Sequence, residues 1–557
     1  MKAPAMKVSV GHVIAAFLER CGVRAAFGVI SIHNMPILDA IATRGAIRFV
    51  SARGEAGAAS MADACARTTG ALGVVITSTG TAAGNAAGGM VEALTAGTPL
   101  LHITGQIEVP YLDRDLAYIH EAPDQLAMLK AVSKQAWRVR TPETALATFK
   151  AAVRAALTAP SGPVSVEVPI DIQGALIDMP ADLDPLPVPL PLPDARAIAR
   201  LADALAAARR PLLWLGGGTR HAGAAVARLA AMGIGVVTTT QGRAVLPETH
   251  ALSLGAYTMA PPVEAFYATC DALVVVGSRL RGNETLKYQL KLPRPLYRID
   301  ANPAADGRGY ANEQFVCGDA AAALAALADR LEGRLRVDPA FAADLAAARA
   351  KAVAALHDGL GPYSALVAAV QQAGGARFNW VRDVTLSNSI WGNRELRLAD
   401  PRAGVHALGG GIGLGLPMAI GAAIGAAAHG TGCATLLLAG DGGFVLNLGE
   451  LACAVQEQAD FTVILMNDRS YGVIKNIQDA HYGGRRVYAD LHTPDFAALA
   501  RALGFAHRRV GRIADAGAAL AALAATSGPK MLEVDMTEVG DFKTAFAGPP
   551  VRTKATA

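Results

Sequence analysis

The sequence predicts an α/β protein of three domains, each a mostly parallel sheet flanked by helices. Three observations predict it. Short runs of Val, Leu and Ile, closed by Gly, Ser or Thr, alternate with amphipathic or Ala-rich segments, the pattern of strand-helix-strand units. Two connectors of different composition interrupt that alternation, one rich in proline and one in alanine. The chain has 557 residues, too many for one ordinary core. These place domains at 1–180, 195–335 and 360–540.

In chain order, VGHVIAAFLERCG is an amphipathic helix ending at Gly22. AAFGV and IRFVS are short strands, and LGVVIT and PLLHIT are strands of buried type. VSVEV, Val164 to Val168, is the last strand before Pro169. Prolines 180, 185, 187, 189, 191 and 193 then favour extended chain and mark a boundary. The second domain carries strands PLLWL, GVVT, ALVVV and LYRI. A helical connector at about 338–357 leads to the third domain. There ATLLLA, residues 434–439, and FTVILM, residues 461–466, are apolar strands joined through a helix near 448–458. A tail from Gly540 carries Pro549 and Pro550.

Composition narrows the function. The chain is 52% hydrophobic and 18% charged with formal net charge +4, and no Lys/Arg run builds a nucleic-acid surface. Six cysteines lack any C-x-x-C pair, which fits a reducing, cytoplasmic compartment and disfavours zinc. The N-terminus has no apolar signal core, and no apolar run reads as a membrane span.

The chemistry concentrates between Gly440 and Gly472. Gly440-Asp441-Gly442-Gly443 follows one strand, and Asn467-Asp468-Arg469-Ser470-Tyr471-Gly472 follows the next. In a right-handed strand-helix-strand unit both acids fall on one sheet edge. Two oxygen ligands converging there suit a hard cation such as Mg²⁺, with phosphate oxygens completing its shell. The glycines let a diphosphate approach backbone N–H groups and a helix N-terminus. An isolated Asp between glycines is more often a turn. The whole pattern, with 468 − 441 = 27 positions between the acids, resembles the fingerprint of thiamin diphosphate enzymes. The resemblance implies metal ligands Asp441, Asp468 and the carbonyl of Ser470, with Gly440, Gly442, Gly443, Tyr471 and Gly472 around the cofactor. Asp468 stands where that family usually has Asn, adding a negative charge beside the diphosphate.

Glu55, in ARGEAGAASMADACAR, opens a helix of small residues. By itself it reads as a first-turn acid favoured by the helix dipole. The segment nonetheless resembles the family's glutamate motif at Arg53, Glu55, Ala58, Met61, Ala62, Ala66 and Arg67, with Gly54 in place of the usual His. The resemblance implies that Glu55 hydrogen-bonds the cofactor's aminopyrimidine; burial in an apolar pocket would raise its pKa toward neutrality. HALGGGIGLGLPMAIGAA, from His406, resembles the family's loop in which a bulky apolar residue bends the cofactor. Ile412 takes that place, with the backbone of Gly410 and Ile412 against the aminopyrimidine. Asn388 and Ser389, in LSNSIW, are weaker candidates for the diphosphate.

Three polar residues point to the substrate side. His33, in FGVISIHNMP, is either a turn residue or a proton carrier like the histidine of benzaldehyde lyase's similar loop. His120 and Gln106 match an acetolactate synthase-like pattern. Gly216-Gly217-Gly218 after PLLWL is either a scaffold loop, the favoured reading, or a nucleotide loop; FAD is possible there but not favoured.

The resemblance covers nearly the whole chain. It implies the order pyrimidine-binding domain, Rossmann-like central domain, diphosphate-binding domain, and a homodimer at minimum, commonly a tetramer. Glu55 and the Asp441/Asp468 pair of one site then come from different subunits. The implied activity is a Mg²⁺-dependent decarboxylase/carboligase of acetolactate synthase type, acting on a 2-oxo acid or 2-hydroxy ketone. A benzaldehyde lyase-like acyloin lyase, a FAD-containing oxidase and a catalytically silent homologue are the alternatives.

Overall fold

The computed structural model describes residues 7–548. Three parallel sheets succeed one another along the chain. The first has six strands in the order Arg48–Ser51, Ala25–Gly28, Gly73–Thr77, Leu100–Gln106, Val164–Pro169, Gln135–Arg138. The second has five, Gly235–Thr238, Pro211–Leu215, Ala272–Val276, Leu296–Asp300 and Gln314–Cys317. The third has six, Gly404–His406, Phe378–Arg382, Ala434–Gly440, Thr462–Asn467, Lys530–Asp535 and Ala506–Val510. Every pairing within these sheets is parallel. An antiparallel ladder of Lys7–Ser9 with Leu176–Asp178 ties the start of the first domain to its end. No regular element occupies 179–194, the proline-rich stretch.

The inner strands of the first and third sheets are buried runs because helices cover both faces. The two sheets share one core. Helix Glu55–Thr69 packs along helix Gly415–Ala428, and both are built of small residues. A Cβ on Gly421 would land on the Met61 carbonyl, and one on Gly425 would sit 2.9 Å from the Cys65 sulfur. That close approach welds the first and last thirds of the chain together. The central domain has its own core.

Helices Phe341–Leu360 and Ser364–Gly374 connect the central and third domains. Together they form the helical run apolar enough by length and composition to cross a membrane among the described residues. The run is broken at Gly361–Tyr363, and its apolar residues are already used: Phe341 and Leu345 in the central core, Leu366 and Val370 in the third. The tail folds back on the third domain through Phe542, whose ring lies tilted against that of Tyr363 at 4.3 Å between centroids, and through Phe546, whose carbonyl accepts from Asn476. Pro549 and Pro550 lie outside the described residues.

Candidate functional site

The site is assembled where strands end. Strands Ala434–Gly440 and Thr462–Asn467 are adjacent and parallel, with Gly440 opposite Met466. The next residues, Asp441 and Asp468, therefore meet at one edge, close enough to share a proton. Asp441 is 0% exposed, and neither of its carboxylate oxygens has a hydrogen-bond donor. Burial, then the charge of Asp468, drives its pKa up. A buried, unpartnered carboxylate beside a second one is costly alone and is relieved by taking up a proton or by a cation. Asp468 accepts from the N–H of Ser470 at 3.1 Å, turning the chain so that buried Ser470 follows. No three His, Cys, Asp or Glu side chains gather among the described residues. A dication here would draw its remaining oxygens from backbone and ligand, which fits Mg²⁺ carrying a diphosphate.

Glycine is required around this pair. A Cβ on Gly442 would meet the Tyr471 ring at 2.7 Å, and one on Gly443 would meet Asp383 Oδ2 at 2.8 Å and Ile412 at 3.2 Å. Gly472 would place a Cβ 2.5 Å from Asp468 Oδ2. Gly443, Ile412 and Gly413 thus converge. Gly410 and Gly413 take left-handed backbone, φ +83° and +86°, and the Ile412 side chain between them is 39% exposed. Apolar and unpartnered, it is free to pack against a ligand.

Several residues of this turn had no local signal. Asp383 is buried and accepts from the N–H groups of Val384 at 2.7 Å and Gly413 at 3.0 Å. Its other oxygen has no partner, and burial pushes its pKa up to about 6. Asn447 donates to the Gly413 carbonyl at 2.7 Å. Asn388 and Ser389 are turned elsewhere: the Asn388 amide meets His406 Nδ1 and the Ser389 hydroxyl donates back to the Thr385 carbonyl. Residues 388–392 form a π-helical turn, and the Asn388 Oδ1 is buried there without a partner.

Glu55 is the first residue of its helix and accepts from Asn85 Nδ2 at 3.1 Å. It is half-buried within the chain, so the apolar enclosure expected from the sequence is not supplied by the chain itself. The start of its helix is held by Glu450 of the third domain, whose carboxylate accepts from the Arg53 N–H at 3.1 Å. Burial raises the Glu450 pKa, offset by donors at Arg53 and Gly54.

His33 and His120, 87 positions apart in sequence (120 − 33), come together, edge to face at 5.1 Å between ring centroids. His33 is 3% exposed with Nδ1 unpartnered. Burial, then the neighbouring His120, lowers its pKa, so the ring is neutral at pH 7. His120 takes φ +65°, in a loop with three further left-handed residues, Asp113, Asp115 and Ala117. Gln106 is buried. Its carbonyl oxygen accepts from Thr79 and the Ile107 N–H, and its amide donates to Glu167. Both ends of the side chain thus have partners within its own domain.

The Gly216–Gly218 loop is packed tightly on one side and faces a cavity on the other. Cβ atoms on Gly216 and Gly218 would collide with the Gly277 backbone, a packing reason for glycine. The loop also lines a cavity of about 380 Å³ with Arg220, Arg279, Arg298 and Arg308. Arg298 is buried with Nε and Nη2 unpartnered.

Two sheet edges, one holding a glutamate and one an aspartate pair whose buried member has no donor, in a chain with a Rossmann-like middle domain, define a cofactor-dependent enzyme built for a diphosphate. Family models agree: residues 8–128 match the N-terminal binding domain of thiamine pyrophosphate enzymes, 198–327 their central domain and 387–534 their C-terminal binding domain. The chain belongs to this thiamine pyrophosphate (thiamin diphosphate) enzyme family. It is 30% identical to a probable 2-ketoarginine decarboxylase of Pseudomonas aeruginosa, over 91% of this chain and 90% of that protein. It is 27% identical to a probable acetolactate synthase large subunit of Methanocaldococcus jannaschii, covering 88% and 86%. With acetolactate synthase isozyme 2 large subunit of Escherichia coli the identity is 27%, covering 94% of each.

Proposed function

We propose that the protein is a Mg²⁺-dependent 2-oxo acid decarboxylase/carboligase of acetolactate synthase type. The observation that carries this is Asp441, fully buried beside Asp468 with both oxygens free of donors. Asp441, Asp468 and the Ser470 carbonyl hold the metal, and Gly442 and Gly443 leave room for the diphosphate. When bound, thiamin diphosphate supplies a nucleophilic carbon that attacks a carbonyl and a cationic ring that accepts the electrons of the broken C–C bond. The protein's own part is orientation and proton handling. With the cofactor bound, Ile412 would pack against its rings, and Glu55 Oε would hydrogen-bond the aminopyrimidine and hold or pass its proton. Neutral His33, beside His120, accepts or returns a proton at the substrate's carbonyl or hydroxyl oxygen. Gln106 acts indirectly, through the loop that bears His120. Six free cysteines support work in a reducing cytoplasm.

A second reading, acyloin lyase, is favoured by His33 itself, a buried imidazole with one nitrogen unpartnered. A third rests on the central cavity, whose arginines suit the diphosphate of a dinucleotide such as FAD. One experiment separates these. Protein with thiamin diphosphate and Mg²⁺ is given pyruvate, 2-ketoarginine, benzoylformate and benzoin, and the products are identified. Release of CO₂ from a 2-oxo acid, with His120→Ala slower by about ten-fold or more, is expected. Cleavage of benzoin alone favours the lyase, a yellow protein releasing flavin on denaturation favours the oxidase, and no turnover by cofactor-loaded protein removes the catalytic reading.

A further inference from the structure

The turn that presents Gly410 and Ile412 belongs to the third domain, but a buried carboxylate of the first domain grips it. Glu92, on helix Ala87–Ala96, is 3% exposed. Its Oε1 accepts from the Leu408 N–H at 2.5 Å and its Oε2 from the Gly409 N–H at 2.7 Å. Arg67, on the helix that Glu55 opens, pairs with Glu92 at 3.1 Å and with Asp63 at 2.7 Å. It also donates to the His406 carbonyl at 2.7 Å. The central domain adds Arg281, which donates to the Leu408 carbonyl at 3.1 Å. Three domains therefore converge on residues 406–409, immediately before the left-handed Gly410.

Two features make this more than a structural tie. A carboxylate that accepts two consecutive backbone N–H groups fixes the direction of the chain as well as its position. Gly409 is also matched to it: a Cβ there would stand 2.8 Å from Glu92 Oε2. The far end of the turn is held separately, by Asp383 on the Gly413 N–H. Between these anchors Gly410 is tied through its N–H to the Ala407 carbonyl at 3.3 Å, Gly411 and Ile412 have no backbone hydrogen bond, and Ile412 is the exposed apolar one.

We propose that Glu92 is a positioning residue for the reaction: it sets the height and angle at which Ile412 and the Gly410 backbone meet the aminopyrimidine, without touching cofactor or substrate. This rests on the cofactor reading above. Glu92→Gln keeps the shape of the side chain, but its NH₂ end faces an N–H donor and cannot accept from it. Gly409→Ala attacks the same contact from the other side and remains usable if the first variant folds poorly.

The test measures three things on wild type, each single variant and the double variant. They are thiamin diphosphate affinity by titration with Mg²⁺, the rate of hydrogen–deuterium exchange at C2 of the bound cofactor, and amide exchange at 408–413 in cofactor-free protein. The diphosphate anchor at Asp441 is untouched, so affinity should stay within about three-fold. C2 exchange should slow by about ten-fold or more in either variant, with amides 408 and 409 exchanging faster, and the double variant should be no slower than the slower single one. Normal C2 exchange in any folded variant overturns the inference, as does affinity falling in step with the exchange rate. If wild type fails to bind the cofactor, the cofactor reading has failed; if wild type binds and the variants behave like it, only the role of Glu92 has.

Discussion

A single carboxyl shows how the site is tuned. Asp383 lies beneath the Ile412 turn, and burial raises its pKa from 3.8 to about 6, with the N–H groups of Val384, Gly413 and Gly415 pulling the other way. Because the folded value is raised, the folded state binds this proton more tightly than the unfolded chain does. The associated stability is complete below pH 3.8 and is lost as pH rises through about 6. A rise of that size corresponds to roughly 3 kcal/mol. Asp441 and Asp468 are also raised, so absolute stability mixes several groups. The difference between wild type and Asp383→Asn isolates one. In cofactor-free protein with metal chelated, urea unfolding should show wild type losing roughly 2.5 kcal/mol relative to the variant between pH 4 and pH 7. A difference independent of pH would mean that Asp383 is not a buried, titrating carboxyl.

Among the elements, the pair formed by helices Glu55–Thr69 and Gly415–Ala428 decides whether the two cofactor-binding domains stay in register. Gly421→Ala puts a methyl on the Met61 carbonyl, and backbone cannot step aside. A loss of 1–3 kcal/mol, about the cost of overpacking, is expected in chemical denaturation. Gly517→Ala, in helix Ala516–Ala524 with nothing within 4 Å, should instead gain up to about 1 kcal/mol from helix propensity. Equal effects would show that propensity, not the interhelical contact, governs both positions. The same helices show what a sequence makes legible. Strands such as Ala434–Gly440 and Ala272–Val276 are apolar runs with glycine stops, and the Asp441 and Glu55 motifs are contiguous, so they announce themselves. Strands Gln135–Arg138 and Ala506–Val510 are edge strands carrying charged residues and show no apolar run. Glu92, Asp383 and Glu450 were silent for another reason. Each is a buried acid whose partners are backbone N–H groups, and for Glu92 and Glu450 those partners lie more than 300 residues away. Nothing local distinguishes such a residue from a solvated glutamate, whereas Gln106, which matched a pattern, proved to be fully occupied inside its own domain.

At the level of the whole molecule, the chain leaves its site open. Glu55 is half-buried, and large apolar side chains stand exposed on the loops that flank it: Ile30, Ile32 and Met35 after the strand Ala25–Gly28, and Leu116 and Ile119 before His120. On the third domain Ile412, Leu446 and Ile474 are likewise exposed near Asp441 and Asp468. Apolar groups gathered at both sheet edges are what a second copy of the chain would cover. A dimer in which Glu55 of one subunit faces Asp441 of the other makes a quantitative prediction. Glu55→Gln and Asp441→Ala are each inactive alone. Mixed, dissociated and reassociated at equal concentration, half of the dimers carry one variant of each kind, and in each of these one site regains both wild-type residues while the other loses both. Activity should therefore recover to about a quarter of wild type, with Hill-type behaviour absent because each site is complete in itself. If Glu55 served the Asp441 of its own chain, every site in every mixture would lack one group, and no recovery could occur at any ratio. Reassociation confirmed by sizing, with activity still at the level of the separate variants, would therefore place the whole site within one subunit.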